Sequence, residues 1–419
     1  MAHAHSKVVA VRGPLGVLLD PIQRFLRIEA ASGFLLLAAA IVALVAANTA
    51  WAERFMSVWK TPVGIEFGEF QFKHPLKHWI NDGLMALFFF VVGLEIKREL
   101  VLGELKNLRA AALPLFGAIG GMVLPAAIFL LIAGGTEGRR GWGIPMATDI
   151  AFVVGCMALL ASRIPRGLRV MILSLAIADD VGAILVIAIG YTTSLNLAML
   201  GWAAVGLLAA WLLFYSRVSS SIPYVCVGAV VWYAFHESGV HATIAGVILG
   251  LMTPTTPMDD ADDQPSHSLL HRWETSLHPW VSFLIMPVFA LANAGVEINQ
   301  SMLTQTVAIA VMLGLFVGKP LGITLFCWIA VKLRLAMLPT GVSWGMILGG
   351  GVLSGIGFTM ALFIAGLALK GGLLDAAKIG ILIGSACSAV VGMLILWASG
   401  RPERALQTEK AARVAHAHP

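Results

Sequence analysis

The sequence reads as an all-α membrane protein of twelve transmembrane helices, built on two inverted-topology repeats with crossed discontinuous helices. Three observations lead there. Of the 419 residues, 58% are hydrophobic and only 12% charged, with a mean hydropathy of +0.87, whereas a soluble domain carries about 25% charged residues. The apolar residues gather into runs, many of them long enough for a bilayer core, which takes about 20 helical residues. Two of those runs are interrupted by glycine and proline, and irregular backbone at membrane depth survives only inside protein or against a water-filled cavity.

Taken in order, a polar tail over 1–28 leads into a single twelve-helix domain over 29–399, and a second tail covers 400–419. The apolar runs place helices near 29–50, 78–100, 109–133, 144–161, 168–192, 196–216, 222–236, 240–252, 275–296, 302–331, 342–369 and 376–399. Between the first two, residues 61–74 alternate Val63, Ile65 and Phe67 with polar neighbours, and Phe70 and Phe72 follow after Gly68-Glu69. Period-two alternation about a glycine predicts a small extracytoplasmic β-hairpin. Its open edge could pair with a second copy, or the hairpin could simply cover the helix ends.

Lys and Arg orient the bundle. The side holding both tails carries 19 of the 28, the opposite side eight, and one lysine lies within a helix. Both termini are therefore expected in the cytoplasm. The same bias accounts for the net charge of +5 without a nucleic-acid partner. On the cytoplasmic side, 254–272 holds Asp259, Asp260, Asp262 and Asp263 among prolines and reads as a solvated acidic loop. The four cysteines fall within apolar runs, read as core residues, and predict no disulfide. No cleavable leader is evident.

The fourth helix is broken where Gly141, Gly143 and Pro145 precede Thr148-Asp149. The eleventh is broken around Gly355 and Gly357, before Phe358-Thr359. Each sits in the middle of a triplet, helices three to five and ten to twelve, and the triplets run in opposite topology. Such a pair is the best sequence pointer to a transporter's binding site; close packing of helices on small residues is the competing account of the glycines. Crossed broken helices bring like dipole ends together, so an acid suits one side and a base the other. Asp149 and Lys319 supply them.

The fifth helix adds adjacent acids, Asp179 and Asp180, in a run from Val170 to Tyr191 with no other charge. One carboxylate at mid-membrane costs roughly 2.5–3.5 kcal/mol on the lenient scale, and two also repel. A cation, a proton or a buried base must reward them. Sodium prefers oxygen ligands, and Asp180 with Asp179, Asp149, Thr148 and loosened carbonyls would provide them. Neighbours on a helix point about 100° apart, so one carboxylate can face the cation while the other turns to Lys319. Exchange of two protons for one sodium would move net charge and respond to membrane potential.

These segments resemble the NhaA family of bacterial sodium/proton antiporters. The resemblance is carried by Ile80-Asn81-Asp82-Gly83-Leu84-Met85, Val92-Gly93-Leu94-Glu95-Ile96-Lys97-Arg98-Glu99-Leu100, Ala147-Thr148-Asp149-Ile150-Ala151-Phe152 and Ala178-Asp179-Asp180-Val181-Gly182-Ala183. It continues through Gly239-Val240-His241-Ala242-Thr243, His278-Pro279-Trp280, Gly318-Lys319-Pro320-Leu321-Gly322 and Gly355-Ile356-Gly357-Phe358-Thr359-Met360. It implies exchange of Na⁺ or Li⁺ for protons without a cofactor and without enzymatic chemistry, in the bacterial inner membrane, by a homodimer joined through the hairpin. Asp180 and Asp179 are similar to the cation- and proton-binding carboxylates, Asp149 to the acid at the helix N-termini, and Lys319 to the base paired with Asp179. Activity rising with alkaline pH is implied, through groups at the cytoplasmic funnel. Here those are Glu95, Arg98 and Glu99 at the end of helix two, with Glu274 and His278 at the start of helix nine. Thr275 after Glu274 and the acidic loop depart from the pattern, and His241 reads as a packing histidine.

Other classes are weaker. An intramembrane aspartyl protease needs Tyr-Asp and Gly-x-Gly-Asp on two helices, and neither sequence occurs. Sodium-coupled symport of an organic anion would leave a Lys319–Asp179 pair unexplained, and a non-transporting sensor would carry no flux.

Overall fold

The structure, a computed structural model, describes residues 14–67, 70–103, 106–192, 195–218, 220–255 and 268–400. It is a helical bundle with apolar side chains turned outward: large ones such as Leu131 and Ile189 are 85% and 81% exposed, while Lys319 is among the largest fully buried side chains. That pattern suits a solvent of lipid rather than water.

The helices are α1 (Pro14–Ala47), α2 (Ala52–Lys60), α3 (Leu76–Val101), α4 (Leu108–Ala133), α5 (Ile150–Leu159), α6 (Arg166–Gly190) and α7 (Leu197–Tyr215). They continue with α8 (Ile222–Ser238), α9 (Thr243–Met252), α10 (Leu269–Asn293), α11 (Thr306–Lys332), α12 (Trp344–Ser354), α13 (Phe358–Ala368) and α14 (Gly371–Ser399). Helix α1 begins well before the expected position 29, and a polar stretch is thereby drawn into it. Among the described residues, seven helices are long and apolar enough to cross a membrane, and counting each of three bent pairs as one span raises the number to as many as ten. Two of the twelve expected runs became α8 and α9, of 17 and 10 residues, short against the ~20 that a perpendicular crossing takes.

Small residues let the helices approach closely. A side chain on Gly322 would put its Cβ 2.0 Å from the Gly120 carbonyl oxygen, fixing α11 against α4. Gly246 bears on the Ala86 carbonyl at 2.1 Å in the same sense, fixing α9 against α3. Three helices carry a π-turn, which widens the ladder by one residue: Trp79–Leu84 in α3, Val281–Ile285 in α10, and Gly314–Gly318 in α11, immediately before Lys319.

Between α2 and α3, strands β1 (Pro62–Phe67) and β2 (Phe70–Pro75) pair antiparallel, with Val63 opposite His74, Ile65 opposite Phe72 and Phe67 opposite Phe70. The Gly68-Glu69 tip and the side chains of Ile65, Phe67 and Phe70 lie outside the described residues. Phe72 packs edge-on against Trp79, Trp232 and Tyr233, so this end of the hairpin lies on the helices, whereas Val63 is 45% exposed. The aspartates of the acidic loop and the two tails over 1–13 and 401–419 also lie outside the described residues. The cysteines are free, but only Cys327 is buried, and Cys226 is exposed rather than in the core.

Candidate functional site

Two helices are interrupted where they meet. A 3-10 segment, Glu137–Met146, precedes α5 with a 42° bend, and α12 precedes α13 with a 47° bend. Tyr191, just beyond α6, anchors the 3-10 segment: its hydroxyl donates to Arg140 O at 2.9 Å and accepts from Gly143 N at 3.2 Å. Burial pushes that hydroxyl up to about 12, so it remains a neutral donor.

The two breaks satisfy one another. Asp149 N donates to Ile356 O at 2.7 Å, and the Thr148 hydroxyl donates to Ser354 O at 2.9 Å. Backbone groups that neither helix can pair internally are thus paired across the crossing, as a low-dielectric interior demands. Gly357 keeps the two breaks close, since a Cβ there would lie 3.1 Å from Ala147 O, and Gly355 does the same against α11, where a Cβ would lie 2.5 Å from Leu315 O.

Asp149 serves both positive helix ends. Its Oδ1 accepts from Phe152 N at 3.3 Å and caps α5. Its Oδ2 accepts from Thr359 N at 3.0 Å, capping α13, and from the Thr359 hydroxyl. One carboxylate between two N-termini offsets two dipoles at once. At the opposite end, the Lys319 ammonium donates to the Met146 carbonyl, the last of the 3-10 segment. It also donates to Asp179 Oδ2 at 2.6 Å.

Asp179 and Asp180 sit in α6 at 1% and 3% exposure. Asp179 spends one oxygen on Lys319; its Oδ1 and the Oδ1 of Asp180 are buried without a hydrogen-bond partner. Buried carboxylate oxygens normally find partners. Carboxylate and carbonyl oxygens are the donors that a hard cation takes.

A second polar cluster joins α3 to α10. Arg98 bonds to Glu274 and lies 3.5 Å from Glu99, and His278 Nδ1 lies 3.6 Å from Glu95 Oε1. Glu274 is 7% exposed. All five side chains singled out at these helix ends are brought together. Sequence reasoning gave no role to Thr359, although it follows the second break much as Thr148 precedes the first. It also counted Lys378 with the connections, whereas α14 buries it at 4% exposure against Gly295 O, 3.1 Å away. His241 accepts a packing role, with Nε2 3.2 Å from Tyr191 O.

With this geometry in hand, the sequence profile of the Na+/H+ antiporter 1 family matches residues 23–396. The chain belongs to that family. A relative from Rhodopirellula baltica described as Na(+)/H(+) antiporter NhaA is 50% identical, over 96% of this chain and 100% of its own length. A second from Rhizobium meliloti, with the same description, is 46% identical over 94% of this chain and 98% of its own. Among solved structures, the sodium proton antiporter MjNhaP1 from Methanocaldococcus jannaschii superposes with a TM-score of 0.52 over 92% of this chain and 94% of its own, at 16% identity. At that identity the likeness speaks to the antiporter's fold alone.

Proposed function

We propose that this chain is an electrogenic antiporter that exports Na⁺ or Li⁺ in exchange for protons, by alternating access at the Asp179–Asp180 centre. The observation that carries the reading is the pair of buried, unpartnered carboxylate oxygens on Asp179 and Asp180, beside the Lys319 bridge and the crossed helix breaks. The descriptions of the relatives from Rhodopirellula baltica and Rhizobium meliloti point the same way.

In the proton-loaded form Asp180 holds a proton and Lys319 bridges Asp179. Arrival of Na⁺ from the cytoplasm displaces the Asp180 proton and recruits Asp179, Thr148 and break carbonyls as oxygen ligands. The Asp179–Lys319 bridge then opens, and that pair releases the second proton. Two protons for one sodium leave a net charge to be moved, so the membrane potential drives the cycle. Asp149 acts as the fixed counter-charge that keeps two helix N-termini in place.

The same reading takes the chain as twelve crossings in two inverted repeats, with α8 and α9 as short or tilted members. It sits in a bacterial inner membrane with both termini cytoplasmic, supported by the distribution of Lys and Arg. The Glu95–Arg98–Glu99–Glu274–His278 cluster is the group through which alkaline pH raises activity. The hairpin edge joins two copies into a dimer. Lys319 disfavours the alternative of organic-anion symport, because the bridge to Asp179 occupies the cation that an anion would need.

The test is a dye-reported ΔpH in everted membrane vesicles, with Na⁺, Li⁺ or K⁺ added from mildly acid to alkaline pH. Na⁺ and Li⁺, but not K⁺, collapse the gradient, and Asp180→Asn abolishes the response while the protein still folds. Vigorous exchange by Asp180→Asn would refute the site; no collapse by the folded native protein at any pH would move the reading to symport.

A further inference from the structure

At the hairpin end of the bundle, away from the aspartate centre, three histidines from separate elements converge. His74 stands on β2, His78 at the start of α3 and His236 near the end of α8. One ring nitrogen from each lies within 4.8 Å of the others. The ring centroids are 4.3 Å apart for His74 and His78, 5.1 Å for His78 and His236, and 5.5 Å for His74 and His236.

One carboxylate backs two of them. Asp82 Oδ2 lies 3.4 Å from His78 Nδ1 and 3.8 Å from His236 Nδ1. With Nδ1 of both rings turned to the same oxygen, Nε2 is the nitrogen left on each to bind something else. His78 Nε2 is buried and makes no hydrogen bond. A carboxylate on one ring nitrogen and a free second nitrogen is the arrangement that orients histidine toward a metal. Asp82 is itself held by the π-turn Trp79–Leu84, whose backbone accepts from Trp232 Nε1 at Asp82 O, 2.9 Å away. Phe72 packs against His74 and His236, and Trp232 stacks on His236.

We infer that His74, His78 and His236, oriented by Asp82, bind a divalent transition-metal ion of the Zn²⁺ class. Imidazole nitrogens select such ions and are poor ligands for Na⁺ or Mg²⁺, so the site is separate from cation transport. Tetrahedral zinc with nitrogen ligands at about 2.0–2.1 Å holds them roughly 3.3 Å apart. The nitrogens, now within 4.8 Å of one another, must therefore close by up to about 1.5 Å. Water completes the coordination. A bound ion ties the hairpin to α3 and α8.

The alternative is a purely aromatic stack that pins the hairpin and binds nothing. Zn²⁺ binding to the purified full-length protein in detergent separates the two. His3, His5, His416 and His418 are changed to glutamine in every sample, because tail histidines are ligands too. The expected result is one Zn²⁺ per chain, undisturbed by excess Mg²⁺, with a higher Tm and, for Co²⁺, the visible absorption of a four-coordinate ion. His74→Ala and His236→Gln each weaken binding about tenfold or more, as does Asp82→Asn. Absence of stoichiometric Zn²⁺ binding by the folded protein overturns the inference. So does binding that His74→Ala and the conservative His236→Gln both leave unchanged.

Discussion

Lys319 and Asp179 are each almost wholly enclosed, and neither could stay charged there alone. Removing one partner of a buried pair costs about 3–5 kcal/mol, whereas replacing both with neutral groups is often nearly free. Lys319→Met should therefore lower the Tm in detergent markedly, and the double variant with Asp179→Asn should recover most of the loss. Lys319→Arg keeps the charge and should retain some exchange. A double variant no more stable than Lys319→Met would show that the bridge is not what the lysine contributes. Asp179, Asp180, Asp149 and Lys319 were all legible in the sequence, because an ionisable residue inside an apolar run is expensive wherever the helix sits. Thr359 was not, since a hydroxyl in such a run costs little and its partner lies 210 positions away.

At the level of elements, glycine and proline marked both breaks, but not their mutual fit. Which carbonyl meets which amide depends on the crossing, and nothing within either run encodes it. The hairpin shows the same limit. Alternation and a glycine give the two strands, yet the packing of Phe72 onto Trp79 and Trp232 joins segments far apart in the chain. Helix ends were the least legible feature: α1 starts at Pro14, and α9 has only 10 residues. Deleting Val63–Phe72 should yield monomers that still exchange Na⁺ for protons, as read by detergent-corrected mass and the vesicle assay. A variant that remains dimeric would assign the dimer to another surface.

Across the whole molecule, α3 connects the two polar centres. Glu95 pairs with His278 in the cluster shared with α10. Glu95→Gln breaks the contact with His278 and should shift the pH of half-maximal exchange. The maximal rate should be largely kept. An unchanged profile would mean that the cluster acts on opening rather than on the proton. The family was legible from motif order, and the grouping of the helix-two and helix-nine charges from topology and resemblance; the meeting of His236 with the hairpin required the folded chain.

The crossing also constrains how the protein is made. Thr148 finds its acceptor on Ser354, 206 residues further along the chain. Until the ribosome has delivered that second half, the first break carries bare peptide groups with nothing in lipid to bond them. Residues 137–159 are therefore a segment that cannot finish inserting on its own. A chain that stops short of Ser354 leaves the Thr148 hydroxyl and Asp149 N without these acceptors.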